Sequence, residues 1–244
     1  MTNQALSGKS AFVTGGARRI GREIALTLAR AGADITITYH SSRAEADKTA
    51  KAIEDLGCRV LAVECDVRLE ASVCDAMDAS IAFHKRLDVL VNNAAVFDAG
   101  KLDDISLEQW DAVFATNTRG PFLTARIALP HLRAAQGRII NIGSLGGLRA
   151  WSGHAHYCAS KAALHMLTLA MAKAFAPEIA VNCVAPGWIE MEGDERDVAE
   201  RFAQKTPLRR NGTAAEVAQA VLFFAAGPGF VTGQVLTVDG GLGL

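Results

Sequence analysis

Ser10-Ala11-Phe12-Val13-Thr14-Gly15-Gly16-Ala17-Arg18-Arg19-Ile20-Gly21 decides the fold. Ser10–Thr14 is a short apolar run of the length of a buried strand. From Arg19 to Arg30 the period changes, and Ile20, Ile24, Ala25 and Leu28 fall on one side of a helix that Gly32 ends. Between strand and helix stand only small residues and two arginines. Small residues let the backbone turn tightly, and the helix N-terminus can then face a pyrophosphate.

Outward from this unit the same rhythm runs to the end of the chain. Strands are predicted at Ile35–Tyr39, Val60–Cys65, Val89–Val91, Arg138–Ile142, Ala180–Val184 and Val235–Val238. Helical patterns fill Ala44–Leu56, Glu70–His84, Glu108–Ala135 and Ala155–Phe175. About seven strands alternating with helices imply an α/β fold, a Rossmann-type doubly wound parallel sheet in a single domain spanning 1–244. Glu190–Glu200 breaks the rhythm with six carboxylates. It reads either as a solvated helix face or as a mobile lid.

Composition agrees. The chain has 244 residues, half of them apolar, 21% charged and a net charge of −1, so it can bury a large core. Near-zero charge gives no bulk attraction for nucleic acid or an anionic membrane. Met1–Lys9 is polar and lacks the apolar core of a signal peptide, and apolar stretches such as Ala220–Ala226 are too short to span a bilayer. Five cysteines without a CxxC pair fit a reducing, cytoplasmic setting.

The dinucleotide reading turns on the end of the second strand. A carboxylate about 20 residues past the glycines would hold an adenine ribose 2′-OH and favour NAD. Here stand Tyr39-His40-Ser41-Ser42-Arg43, with Arg18 and Arg19 on the loop beside them. Cations and hydroxyl donors suit a 2′-phosphate, so the expected cofactor is NADPH/NADP.

These residues resemble the TGxxxGxG fingerprint of the short-chain dehydrogenase/reductase family, with Arg19 replacing the middle glycine. The TGxxxRxG form and the Tyr39-His40-Ser41 stretch are similar to the pteridine reductases of that family, where they accompany NADPH. The resemblance covers nearly the whole chain. It implies cofactor contacts from Gly15, Gly16, Ala17, Arg18, Arg19, Ile20 and Gly21, and from Tyr39, His40, Ser41 and Ser42. It extends them to Asp66-Val67, to Asn92-Asn93-Ala94 (an NNAG motif with Ala95 for Gly) and to Pro186-Gly187 with Ile189. Met191 stands where a threonine often follows that turn. Val238-Asp239-Gly240-Gly241 resembles the family's C-terminal signature.

Tyr157-Cys158-Ala159-Ser160-Lys161 reads YxxxK in a helical segment, which puts phenol and ammonium on one face. A nearby cation would lower the tyrosine pKa. Ser144 ends the fifth strand, thirteen residues before Tyr157, as in the family. By resemblance Asn117, Ser144, Tyr157 and Lys161 form the catalytic set. Tyr157 would move the proton and Ser144 would share the carbonyl oxygen. Lys161 would hold the nicotinamide ribose and Asn117 a water leading to Lys161. His154 and His156 form an HxH with no third ligand at useful spacing, so no metal is expected.

Phe97, Trp151 and Trp188 follow strand ends and are expected to line the substrate pocket, favouring a flat or apolar substrate. Phe97 aligns with the phenylalanine that stacks on the pterin in pteridine reductases. General resemblance to 3-oxoacyl-[acyl-carrier-protein] reductases is as strong. A carbonyl, an alcohol, a pterin or a 3-oxoacyl thioester therefore remains open. A non-catalytic NADP sensor of the same family would typically lack the tyrosine or the lysine, both present here. The long helices Glu108–Ala135 and Ala155–Phe175 are expected, by resemblance, to pair subunits into a homotetramer.

Overall fold

The computed structural model describes residues 4–244. Seven parallel strands form one sheet in the order β3-β2-β1-β4-β5-β6-β7. They are β1 (Ser10–Val13), β2 (Asp34–Tyr39), β3 (Val60–Glu64), β4 (Val89–Asn92), β5 (Arg138–Ile142), β6 (Ala180–Pro186) and β7 (Val235–Val238). The helices are α1 (Arg19–Arg30), α2 (Arg43–Glu54), α3 (Glu70–His84), α4 (Leu107–Phe114), α5 (Gly120–Ala135), α6 (Ala155–Ala174), α7 (Arg196–Lys205) and α8 (Ala214–Ala226).

Side chains of a strand alternate between faces, and the core divides accordingly. Ala11, Val13, Val89, Val91 and Ile140 pack with Ile24 and Leu28 of α1 and Val217 and Val221 of α8. Phe12, Leu90 and Ile139 pack on the opposite face with Met77 of α3, Leu132 of α5 and Met171 of α6. Phe12, Leu90 and Ile139 are wholly buried; each contributes about 1.5–3 kcal/mol. Strands buried on both faces read as apolar runs, which is why they were legible in the sequence.

The chain moves from β1 outward to β3, then returns past β1 to β4. Order therefore reverses between β1 and β4, and a ligand crevice opens there at the carboxyl ends of the strands. The Gly15 turn, Asn93, Ser144 and Gly187 all lie at those ends.

The expected helix at Glu108–Ala135 is not continuous. A capping box formed by Ser106 and Gln109 starts α4, and a π-helical turn, Ala115–Arg119, separates it from α5. Polar side chains account for the widening. Asn117 is drawn to the main chain of Val96 and to Ser160, and the Thr118 hydroxyl donates to Ser160 O at 3.0 Å. Such π turns concentrate at functional sites. The acidic stretch is likewise divided: residues 190–195 are non-helical and α7 begins at Arg196.

Candidate active site

The dinucleotide cradle is built by close approach. Gly15 has φ +63°, and a Cβ on Gly21 would lie 2.1 Å from Gly15 O. A Cβ on Gly16 would lie 2.6 Å from Ile37 Cγ2. Asn93 Nδ2 donates to Thr14 O and Gly15 O at 2.9 and 3.0 Å. The Asn93 and Ala94 N–H groups both donate to the Thr14 hydroxyl at 2.9 and 3.0 Å. These bonds fix the turn so that the first-turn N–H groups of α1, which no helical carbonyl can take, meet an open cradle. Ala17 is buried, its carbonyl accepting from Thr49, and Ile20 is half-buried. Arg19, in the middle-glycine position, takes φ +52°, a left-handed conformation that costs a non-glycine residue about 1 kcal/mol. Arg18, Arg19, His40 and Ser41 are exposed and Ser42 half-buried, with no carboxylate among them. Orphan helix N–H groups, a glycine cradle and arginines at its mouth fit the phosphates of an NADP-type dinucleotide.

Three of the expected cofactor residues have buried side chains. Tyr39 is buried in the core on the α1 side, because strand alternation turns it inward, so the polar cluster beyond β2 starts at His40. Asn92 also points inward. It donates to Asn141 Oδ1 at 2.9 Å and accepts from the Thr124 hydroxyl at 2.5 Å, while Asn141 donates to Thr168 at 2.9 Å. This ladder ties β4 and β5 to α5 and α6. Val67 is buried against Gly120 at the start of α5. Asp66 beside it is gripped by Arg68, whose hydrogen bonds hold the carboxyl down to about 2. At the far side Pro186 and Ile189 are buried. Gly187 lets Asp239 approach, since a Cβ there would lie 2.7 Å from Asp239 Cβ. Met191 packs against the core.

The structure brings Ser144, Tyr157 and Lys161 together. Lys161 is fully buried, donates to Ile142 O at 2.7 Å and lies 5.9 Å from the centre of the Tyr157 ring. Burial pushes its ammonium down to about 8. The Tyr157 phenol is raised, not lowered as the lysine was expected to make it. Burial dominates, and the nearby Ser144 hydroxyl only partly opposes it. Ser144 Oγ accepts from Gly146 N–H at 3.0 Å, which leaves its own proton free to donate. Asn117 is buried in the π-helical turn. Its side chain clamps both main-chain groups of Val96, at 2.8 and 2.9 Å, and donates to Ser160 at 3.1 Å.

Phe97 and Trp151 flank Tyr157. The Phe97 ring meets it edge-on at 4.8 Å and Trp151 lies parallel at 6.2 Å. Phe97 is 59% exposed. Trp188 does not join them in a stack: it lies on Phe202 of α7 at 4.1 Å and 4°. Sequence showed that Trp188 follows a strand end, not that Phe202, 14 residues later, would lie on it. His154, read at first only as half of an HxH pair, completes the wall. It stacks on Phe97 at 4.6 Å and shares a hydrogen bond of 2.9 Å with Asp98 O. His156 is wholly buried, 3.4 Å from the Asp98 carboxylate. His165 was not singled out, although Tyr157, Lys161 and His165 fall at successive four-residue steps on one helix face.

A family model described as enoyl-(acyl carrier protein) reductase matches residues 15–243. A 3-oxoacyl-[acyl-carrier-protein] reductase from Synechocystis is 37% identical over 98% of each chain. A trihydroxynaphthalene reductase from Pestalotiopsis fici is 34% identical over 98% of this chain and 91% of its own. A short chain dehydrogenase from Burkholderia cenocepacia, solved in complex with NADP, superposes with a TM-score of 0.93 at 37% identity, covering 98% of this chain and all of that one. With the cradle, the Ser144-Tyr157-Lys161 cluster and these likenesses together, the chain belongs to the short-chain dehydrogenase/reductase family, whose members are nicotinamide-dependent oxidoreductases.

Proposed function

We propose that the protein is an NADPH-preferring reductase of a flat or apolar carbonyl compound, with Tyr157 as proton donor. The carrying observation is the cluster itself: a buried Tyr157 between Phe97 and Trp151, with the Ser144 hydroxyl near enough to favour its charged form and Lys161 behind it. NADPH, when bound, supplies the hydride to the carbonyl carbon. Ser144, its lone pair occupied by Gly146 N–H, donates to the carbonyl oxygen as negative charge develops there. Tyr157 donates the second hydrogen bond and then its proton. A phenol raised by burial stays protonated at neutral pH, which suits it to the reductive direction. Lys161 has donors to spare beyond Ile142 O; these would hold the nicotinamide ribose hydroxyls, and an ammonium near 8 can return a proton toward the phenol. Arg18, Arg19, His40, Ser41 and Ser42 would take the 2′-phosphate, which supports NADPH over NADH.

The aromatic wall and the trihydroxynaphthalene reductase among the relatives favour a flat substrate. The Synechocystis relative favours a 3-oxoacyl thioester as the second reading. A groove of about 1100 Å³ on the outer face of α4, α5 and α6, lined by Phe114, Phe122, Met166 and Leu167, is the surface on which a homo-oligomer, a tetramer by family resemblance, would form.

NADPH and NADH oxidation against dihydrobiopterin, dihydrofolate, acetoacetyl thioesters and aromatic ketones tests this reading. NADPH-dependent turnover of an aromatic ketone or a pterin is expected. Tyr157→Phe is expected to lower kcat by about 10³-fold or more with NADPH affinity retained. Wild-type turnover in that variant removes Tyr157 from its role, and preference for NADH overturns the assignment of Arg18 and Arg19.

A further inference from the structure

Ser144 stands where β5 leaves the sheet. Gly143 makes the last bond to the neighbouring strand, its N–H donating to Val184 O at 2.7 Å. The next N–H, that of Ser144, is buried and meets an imidazole instead, donating to His165 Nε2 at 3.4 Å. The turn is moulded on that ring. A Cβ on Gly143 would lie 2.2 Å from His165 Nε2, and one on Gly147 would lie 2.6 Å from His165 Cε1. The two glycines that bracket Ser144 are thus the residues that make room for the ring.

His165 is itself buried, and its Nδ1 has no partner among the described residues. Burial, with Lys161 adding repulsion, holds the ring down to about 4, so it is neutral at physiological pH. A neutral ring that accepts through Nε2 carries its proton on Nδ1 and has none to give toward Ser144. General acid chemistry at Ser144 is therefore not its role.

We infer that His165 is a positioning residue: its imidazole anchors the Ser144 peptide, and through it aims the Ser144 hydroxyl beside Tyr157. Ser144 is then held at two points, its N–H on His165 and its Oγ on Gly146 N–H. A donor to a developing oxyanion works only if its direction is fixed beforehand, so a loose Ser144 loses rate without losing cofactor affinity. The inference rests on the role proposed above for Ser144.

A double-mutant cycle tests it, with kcat on the best carbonyl substrate and NADPH affinity by fluorescence titration. His165→Leu is expected to lower kcat about tenfold with NADPH affinity unchanged. His165→Gln, whose Oε1 can accept from the same N–H, is expected to stay within about threefold of wild type. In a Ser144→Ala background His165→Leu should cost nothing further, because its route to the substrate is already gone. Equal fold-losses in the two backgrounds, or an unchanged kcat in His165→Leu, overturn the inference. If Ser144→Ala alone turns over normally, the proposed site chemistry itself fails and takes this inference with it, a result separable from any His165 variant. Should His165→Leu not fold, His165→Asn, too short to reach the Ser144 N–H, replaces it in the same cycle.

Discussion

Lys161→Met should make this protein more stable and inactive. The lysine is fully buried, and burial lowers its ammonium from 10.5 to about 8. At ~1.4 kcal/mol per pH unit of displacement, keeping that ammonium charged inside the fold costs the native state about 3 kcal/mol at neutral pH. The unfolded chain holds the proton up to 10.5 and the native chain only up to about 8. The penalty is therefore present in full below about 8 and fades as pH rises from there to 10.5. Methionine keeps most of the volume and removes the charge, but forfeits the hydrogen bond to Ile142 O, worth about 1 kcal/mol. The net gain is about 2 kcal/mol at pH 7, or ~4–8 °C in Tm for a chain of this size. At pH 9, above the point where the native ammonium gives up its proton, the wild type has already shed part of the penalty, so the gain is clearly smaller than at pH 7. Urea unfolding of both proteins at pH 7 and pH 9, alongside turnover, is the assay. Loss of stability at pH 7, or a gain of the same size at both pH values, refutes the reasoning. A stable but inactive variant would mean that the site keeps a destabilising charge for its chemistry.

Arg19→Gly relieves a left-handed φ of +52° while removing the cation proposed for the 2′-phosphate. KM for NADPH should rise about tenfold, with KM for NADH little changed and Tm not lowered; a large fall in Tm would mean that the side chain holds the turn. Asn92→Ala leaves Asn141 Oδ1 without its donor in the core, while the Thr124 hydroxyl falls back on the Gly120 and Pro121 carbonyls. Denaturant unfolding should show a loss of about 1–3 kcal/mol with NADPH affinity within threefold. An unaltered stability with weakened NADPH binding would return Asn92 to the cofactor set.

Much of the architecture was legible because its causes are local. A strand buried on both faces is mostly apolar, so β1 and β4 announce themselves as runs such as Val89-Leu90-Val91, while β2 is legible from its β-branched alternation, Ile35-Thr36-Ile37-Thr38. A helix against a sheet must repeat its apolar residues every three to four positions, and Arg19–Arg30 and Glu70–His84 were bounded correctly on that basis. The glycine turn is legible for a similar reason: Gly21 tolerates no Cβ beside Gly15 O. The Ser144-Tyr157-Lys161 cluster was reached only by family resemblance, because four-residue spacing by itself puts just Tyr157 and Lys161 on one helix face.

Partnership across the sheet was decided by the tertiary structure. Whether Asn92 or Asn93 faces the cleft depends on strand parity at a sheet edge whose register is set by β5. Trp188 lies against Phe202 of α7, a pairing that the sequence around either residue does not set. The break at Ala115–Arg119 depends on Val96 and Ser160, which supply the polar partners of Asn117. Even the direction of the Tyr157 shift was a three-dimensional fact. Sequence supplied the lysine that should lower it, but only the assembled core fixes how much water the phenol loses, and here desolvation outweighs the opposing Ser144 hydroxyl.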